Sequence, residues 1–254
     1  MQYKKNLGQH FLIDQNIVDK LVKYINPSKK DFIIEIGPGD GAMTKSFVDK
    51  VNRLILIEKD RSLINELNTI ICVNPQYQII NQDILKYDLD ALNQSVRIVG
   101  NLPYNISTEI IFKMCHCKHL IDMHFMLQKE VVDRIVAKSN SKIYGRLSIM
   151  TQAYFKVEKL FNISENVFYP KPKVKSSFIR LVPKKYAFNN KDHEINFYNV
   201  VKSAFEGRRK MIKKSLVKYL SEKEFNSIKI DPNLRAEDLS VNDYIYISEH
   251  AKKI

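Results

Sequence analysis

No stretch of this chain approaches the ~18 consecutive apolar residues of a membrane-spanning helix, so no membrane partner is expected. The opening Met1-Gln2-Tyr3-Lys4-Lys5-Asn6 leads into no apolar secretory core, which makes the cytoplasm the expected location. Cysteine is scarce. Three residues at irregular spacing, an odd count, exclude a disulfide framework. Cys115-His116-Cys117-Lys118-His119 gathers ligand types, but no second ligand pair follows at zinc-site spacing, so no metal is expected. Internal repeats and low-complexity linkers are absent. Acidic residues are in deficit, 28 against 41 Lys and Arg, for a net charge of +13. That excess suits a polyanionic partner such as nucleic acid. It suits plain solubility as well, and charge alone does not choose.

What is present is an ordinary globular composition. The 254 residues are 44% hydrophobic and 27% charged, enough for one full core with a small second domain. Short apolar runs alternate with helix-length segments. Phe32-Ile33-Ile34-Glu35-Ile36 ends at glycines, Leu54-Ile55-Leu56-Ile57 at Glu58, Gln78-Ile79-Ile80 near Asp83, Ile98-Val99 at Gly100-Asn101, and His124-Phe125-Met126-Leu127 at Gln128. This rhythm predicts βαβ units and a parallel sheet buried on both faces. The polar residues fall just after the strand ends, where open α/β sheets bind ligands.

After about residue 150 two further strands are predicted, within 154–163 and 176–182, with Phe168-Tyr169-Pro170-Lys171-Pro172-Lys173 between them. No crossover helix fits there, so they should form an antiparallel pair at the sheet edge. The expected architecture is α/β: a Rossmann-like, seven-stranded, mostly parallel sheet over residues 1–185, followed by a small basic helical domain over 186–254. Within the latter, Phe205, Ile212, Leu216 and Leu220 recur at helical spacing and predict a Lys/Arg-rich helix over about 205–218.

Glu35-Ile36-Gly37-Pro38-Gly39-Asp40-Gly41-Ala42 follows the first of the long strands and opens a helix. Glycines there let the backbone turn sharply and approach a ligand. Glu58 ends the next strand, where a carboxylate can accept from both hydroxyls of a ribose. These features fit a nicotinamide dinucleotide and S-adenosylmethionine equally well. Asp83 could accept from an adenine amine of the cofactor, although by itself a turn aspartate needs no such role.

Gly100-Asn101-Leu102-Pro103-Tyr104-Asn105 decides between the two cofactors. The N6 lone pair of adenine is delocalised into the ring, so the amine is a weak nucleophile. Two acceptors, the Asn101 side-chain oxygen and the Leu102 carbonyl, could hold both N6 hydrogens and aim the lone pair at a methyl group. Pro103 fixes its own φ and biases Leu102 toward extended backbone. Tyr104 offers a face for a flipped base, and Phe168, beside a rigid proline loop, a second face. An isolated Asn-Leu-Pro-Tyr would be only a proline turn. After a glycine loop and an acidic strand end it predicts adenine N6 methylation.

Together these segments resemble one family, the ribosomal RNA adenine N6-dimethyltransferases. The resemblance spans nearly the whole chain: Leu7-Gly8-Gln9-His10-Phe11-Leu12, the glycine loop, Gly100 to Ser107, Met126-Leu127-Gln128-Lys129-Glu130-Val131, Tyr144-Gly145-Arg146-Leu147-Ser148, Phe168 to Val174, and Phe205-Glu206-Gly207-Arg208-Arg209-Lys210. Leu102, Gln128-Lys129-Glu130 and Arg235-Ala236-Glu237-Asp238-Leu239-Ser240 resemble the small-subunit KsgA/Dim type more than the large-subunit Erm type. The resemblance implies S-adenosylmethionine as cofactor, with contacts on His10, Leu12, Gly37, Gly39, Glu58, Asp83 and Asn101. It implies Asn101, Leu102, Pro103, Tyr104 and Phe168 as catalytic and base-holding residues, His10 standing where many members carry Asn. It also implies a substrate: two adjacent adenosines in the terminal hairpin of small-subunit (16S) rRNA, dimethylated late in subunit assembly. Arg208, Arg209, Lys210, Lys213 and Lys214 are the expected rRNA-backbone contacts, unless they form only a solvated helix face. A monomer is expected. An Erm-type enzyme and a non-catalytic assembly factor are the competing readings.

Overall fold

The apolar runs become the strands of one sheet because each is bounded by glycine, proline or charge. In the computed structural model, which describes residues 9–71, 74–185, 188–207 and 209–253, the strands are β1 (Phe11–Leu12), β2 (Phe32–Ile36), β3 (Arg53–Glu58), β4 (Tyr77–Asn81), β5 (Val96–Asn101), β6 (Leu120–Gln128), β7 (Phe155–Ile163), β8 (Phe168–Tyr169) and β9 (Ser176–Pro183). The helices are α1 (Gln15–Ile25), α2 (Thr44–Phe47), α3 (Ile64–Ile71), α4 (Ser107–Met114), α5 (Lys129–Ile135), α6 (Arg146–Tyr154), α7 (Lys191–Glu206), α8 (Ile212–Ser215), α9 (Glu222–Ser227) and α10 (Val241–His250).

Seven strands form the main sheet in the order β4-β3-β2-β5-β6-β9-β7. β2 pairs in parallel with both β3 and β5, β3 with β4, and β5 with β6, while β9 runs antiparallel to β6. The strand order therefore reverses at β2. The connection leaving β2 runs to β3 on one side and that leaving β5 runs to β6 on the other, which opens a crevice at the carboxyl ends of these two neighbours, the usual ligand position of such sheets. All five β2 residues are buried, as a central strand covered on both faces requires.

Local signals set the helix start beside the crevice. Asp14 caps α1, its carboxylate accepting from the Asn16 and Ile17 amides, and Leu21 and Ile25 pack into the core. At the other end of β5, Arg97 is buried among carboxylates. Its Nε donates to Asp122 Oδ1 at 2.8 Å, Nη1 to Asp31 Oδ2 at 3.0 Å, and Nη2 to the Ile25 carbonyl at 2.7 Å. The guanidinium thus ties β5 and β6 to the end of α1, far along the strand from Asn101.

The chain forms two compact units, residues 1–132 with 158–183, and residues 133–157 with 184–254. The expected boundary at 185/186 lies two residues from the observed one, but segment 133–157 groups with the second unit rather than the first. Its packing explains why. α6 lies against α7 and α10, Tyr144 and Tyr244 are buried, and Gln152 Nε2 donates to the carbonyls of Ile135 at 2.7 Å and Ala137 at 2.8 Å. These partners are nearly a hundred residues away from α6 in sequence for α10, and periodicity does not report them.

The basic helix expected over 205–218 is also corrected. α7 stops at Glu206 with Gly207 as its cap residue, and α8 has only four residues. Glycine is a poor helix former, and the following backbone bonds elsewhere. Met211 bridges to Arg235, and the Ile212 amide donates to the Leu234 carbonyl at 2.8 Å. Ile212, Leu216 and Leu220 are still buried, so the apolar spacing marked a core contact rather than one continuous helix. Arg209, Lys210 and Lys214 are exposed. Lys213 is half-buried and pairs with Glu222 at 3.2 Å. Arg208 lies outside the described residues.

Candidate active site

The crevice is built by three loops at the carboxyl ends of β2, β3 and β5. After Ile36 the backbone turns through Gly37 at φ 64° and Gly39 at φ 62°, left-handed values that side chains resist. The turn brings the Gly39 amide to Glu58 Oε2 at 3.2 Å, while the Asp60 amide donates to Oε1 at 2.7 Å. Glu58 is therefore held rigidly at the end of β3. Burial raises its pKa, opposed by the Asp60 and Gly39 amides. Each carboxylate oxygen has a second lone pair for a ligand hydroxyl. Asp83 follows β4. The Lys59 ammonium, 2.9 Å away, holds its carboxyl below the usual carboxylate range, and the Leu85 amide caps it.

Gly100 precedes the key asparagine for a steric reason. A Cβ there would sit 2.6 Å from the Ile36 carbonyl, so only glycine lets β5 run this close to the end of β2. Asn101 then donates from Nδ2 to the His10 carbonyl at 2.8 Å. A carbonyl can only accept, so this bond fixes which way the amide faces and leaves Oδ1 as an acceptor. Leu102 is buried and anchored through its amide to the Met126 carbonyl at 3.2 Å. Tyr104 is held at its tip by Ser176 Oγ at 2.7 Å and on one face by the His10 ring, with centroids 5.6 Å apart and planes 29° apart. Burial pushes the Tyr104 pKa above 10.0, so its phenol stays neutral and is no base at neutral pH.

Glu35 is the most perturbed carboxyl of the site. It is wholly buried, accepts from Thr44 Oγ1 at 2.5 Å through Oε2, and has no partner for Oε1. Burial pushes its pKa up to about 8, against the Thr44 bond, with Glu58 and Asp40 adding to the rise.

One cleft is lined by His10, Gly37, Gly39, Glu58, Asp83, Asn101, Leu102, Pro103 and Tyr104. A smaller adjoining hollow is lined by Leu12 and Glu35, again with His10, Gly37, Gly39 and Asn101. Residues predicted at five separate places along the chain thus converge. Phe168 does not join them. It is 2% exposed, belongs to the core, and does not line the cleft. β8 pairs with β1, Leu12 facing Phe168 and Phe11 facing Tyr169, and strand alternation turns Phe168 inward and leaves Tyr169 58% exposed. Sequence reasoning assigned no role to Glu35, Lys59, Gln82 or Ile84, although Glu35 and the last three line these hollows. Adjacency to the glycine loop, Glu58 and Asp83 was the available signal.

Solved structures share this architecture over nearly its whole length. A dimethyladenosine transferase from Plasmodium falciparum aligns with a TM-score of 0.83 at 23% identity, covering 95% of this chain and 99% of that one. The 23S rRNA methyltransferase ErmE aligns at 0.74 and 21% identity, covering 94% and 98%. At these identities the likeness is one of fold: a Rossmann-like sheet with a ligand cleft at the carboxyl ends of its strands. Proteins called ribosomal RNA small subunit methyltransferase A are similar throughout: that of Nitrosospira multiformis is 39% identical, over 99% of this chain and 97% of its own length, and that of Francisella tularensis subsp. novicida 43% identical, over 98% of each. The family model for ribosomal RNA adenine dimethylase matches residues 1–253, and the chain belongs to that family.

Proposed function

We propose that the protein dimethylates the N6 amines of two adjacent adenosines in the 3′-terminal hairpin of small-subunit rRNA. The observation that carries this reading is the fixed Asn101 amide. With Nδ2 committed to the His10 carbonyl, Oδ1 is the acceptor available to an adenine amine, and it stands one residue from a buried backbone anchor and three from an aromatic face.

S-adenosylmethionine supplies an electrophilic methyl group on a sulfonium. The residues present fit it. The left-handed glycines bring backbone close to a ligand, Glu58 can accept from ribose hydroxyls, and the unpartnered Glu35 Oε1 in the adjoining hollow is an acceptor for a cationic group. Asp83 stands beside the cleft as an acceptor for an adenine amine.

Asn101 Oδ1 and the Leu102 carbonyl accept from the two N6 hydrogens, favour a pyramidal nitrogen, and point its lone pair along the transfer line. Tyr104 supports the base from one side. Such an in-line displacement depends on positioning more than on proton removal. The methylated amine is cationic and loses its proton to water, so no strong base is needed, and the neutral Tyr104 phenol is consistent with that. Repetition at the same nitrogen gives the dimethylated product. Exposed Arg209, Lys210 and Lys214 are suited to rRNA phosphates.

The test is transfer of labelled methyl groups to purified, unmethylated small subunits, with dimethyladenosine mapped on the rRNA. Product at the adjacent adenosines of the terminal hairpin is expected. Modification of large-subunit rRNA alone would replace the proposal with an Erm-type assignment, and binding without transfer would replace it with an assembly factor. Asn101→Ala should lower transfer by at least about 100-fold, a loss typical of a removed transition-state contact, with cofactor affinity nearly kept. Near-normal turnover would refute the hydrogen-bond mechanism.

A further inference from the structure

The register of β1 and β8 leaves one aromatic ring exposed beside the cleft. Phe11 pairs with Tyr169, and directly opposed residues of an antiparallel pair share a face. Phe11 lines the cleft, its ring against Gly39, where a Cβ would meet it at 3.2 Å. Tyr169 is therefore on the cleft side of the pair, and it is 58% exposed. The chain that follows is held at both ends. Pro170 and Pro172 fix their own φ, and Pro172 is buried. The Lys129 amide, just past β6, donates to the Lys175 carbonyl at 2.8 Å. Ser176 Oγ lies 2.7 Å from the Tyr104 hydroxyl. Because β9 runs antiparallel to β6, its first residue rather than its last reaches the end of the sheet that carries the cleft. Between these anchors Lys171, Lys173 and Lys175 are exposed. Glu165 offsets them only in part: it stands 3.7 Å from Lys171, whose side chain is 58% exposed, so that pair is weak. Three ammonium groups and an aromatic face on a loop of little freedom match single-stranded RNA, whose phosphates meet the cations and whose bases meet the ring. A duplex keeps its bases stacked on one another and would leave the ring unused.

We propose that the 169–175 loop seats the single-stranded rRNA next to the target adenosine, with Tyr169 stacked on a neighbouring base and Lys171, Lys173 and Lys175 against the flanking phosphates. The proposal rests on the assignment of the cleft to an adenine in RNA. A target base turned out of its stack leaves its neighbour with one bare face, and an exposed ring on the cleft side is placed to cover it. Where two adjacent adenosines are substrates in turn, the same ring holds one while the other is in the pocket.

Substitutions separate the ring from the charges. On unmethylated small subunits, Tyr169→Ala should raise KM for the subunit about 10-fold, within the range that one base stacked on an aromatic contributes. The kcat at saturating subunits and the Kd for S-adenosylmethionine should stay within about threefold of the parent, as for a lost binding contact. Tyr169→Phe keeps the face and should keep the KM. Lys171, Lys173 and Lys175 changed together to Ala should lessen the slope of log affinity against log salt by up to about two, at roughly 0.7 per phosphate of a single strand. Lys29, Lys30 and Lys50, exposed before the amino ends of β2 and β3, changed likewise remove the same charge from the opposite end of the strands and should leave the slope as it is. An unchanged KM in Tyr169→Ala, a Tyr169→Phe as impaired as the alanine variant, or equal slope changes in the two lysine sets would overturn the proposal. A photoreactive aromatic residue in place of Tyr169 gives a direct readout. Cross-links to rRNA bordering the methylated adenine are expected, and cross-links to a ribosomal protein would overturn the proposal. Cross-links that border a methylated adenine outside the terminal hairpin would sink the hairpin assignment and keep the loop. Cross-links remote from a correctly methylated hairpin would sink the loop and keep the hairpin.

Discussion

Glu35→Gln isolates the energetic cost of one buried carboxyl. In the folded protein burial pushes the Glu35 pKa up to about 8 from an ordinary value of 4.5. The side chain is wholly buried with Oε1 unpartnered. In an unfolded chain the same group ionises near 4.5. Between those two values the folded protein binds one more proton than the unfolded chain, so stability must fall as pH rises. The contribution is fully present below pH 4.5, declines through neutrality, and is lost once pH passes about 8. At roughly 1.4 kcal/mol per decade of pKa, the whole span amounts to about 5 kcal/mol at most. A glutamine cannot ionise and keeps an oxygen to accept from Thr44 Oγ1. The assay is urea unfolding of the cofactor-free parent and variant at intervals from pH 5 to pH 9, read as midpoints at constant slope. The difference, variant minus parent, should grow by several kcal/mol across that range and level off above about pH 8. Two parallel stability curves would refute the reasoning, because they would mean that Glu35 ionises in the folded state as easily as in the unfolded one.

Two further outcomes follow from charges elsewhere. Asp122→Ala should destabilise the protein by about 3–5 kcal/mol in the same assay, the usual penalty for stranding one member of a buried ion pair. Arg97 would lose its Asp122 bonds and keep Asp31 as its remaining carboxylate partner beside the Ile25 carbonyl, and a loss under about 1 kcal/mol would show the pair to be dispensable. Burial pushes the Asp122 carboxyl up, but the Arg97 hydrogen bonds together with the charges of His124, Arg97 and Arg180 outweigh it and leave the group below its usual range, so its contribution is present at neutral pH and is lost on acidification. In the second unit, reversing Arg209, Lys210 and Lys214 to Glu should weaken binding to rRNA and lessen the slope of log affinity against log salt by up to roughly 2 to 3, at roughly 0.7 to 0.9 per lost phosphate contact. Lys213→Glu alone should do less, because that ammonium already faces Glu222. An unchanged slope in the triple variant would exclude these residues as phosphate contacts.

The sequence by itself determined whatever depends on neighbours in the chain. Phe32–Ile36 is a continuous apolar run, and it is a buried central strand. Glycines followed it, and they take left-handed backbone beside a ligand cleft. Asn101 to Tyr104 was legible as chemistry because a strand end, a glycine and a proline lie within a few residues and fix one another locally. That β9 and β7 lie side by side at one end of the sheet was readable from the absence of room for a crossover helix between them. Tertiary structure decided everything that turns on a distant partner. Phe168 was turned into the core by its pairing with Leu12, more than 150 residues away. The helix expected over 205–218 was divided because its backbone found Leu234 and Arg235. Segment 133–157 joined the second unit through contacts with α7 and α10. At Asn101 the sequence supplied an amide, but only the His10 carbonyl settled which end of it is free. Hydrophobic period reports which residues are buried. It carries no record of the particular atoms a buried or half-buried group will meet, because those are fixed by the crossing of segments far apart in the chain.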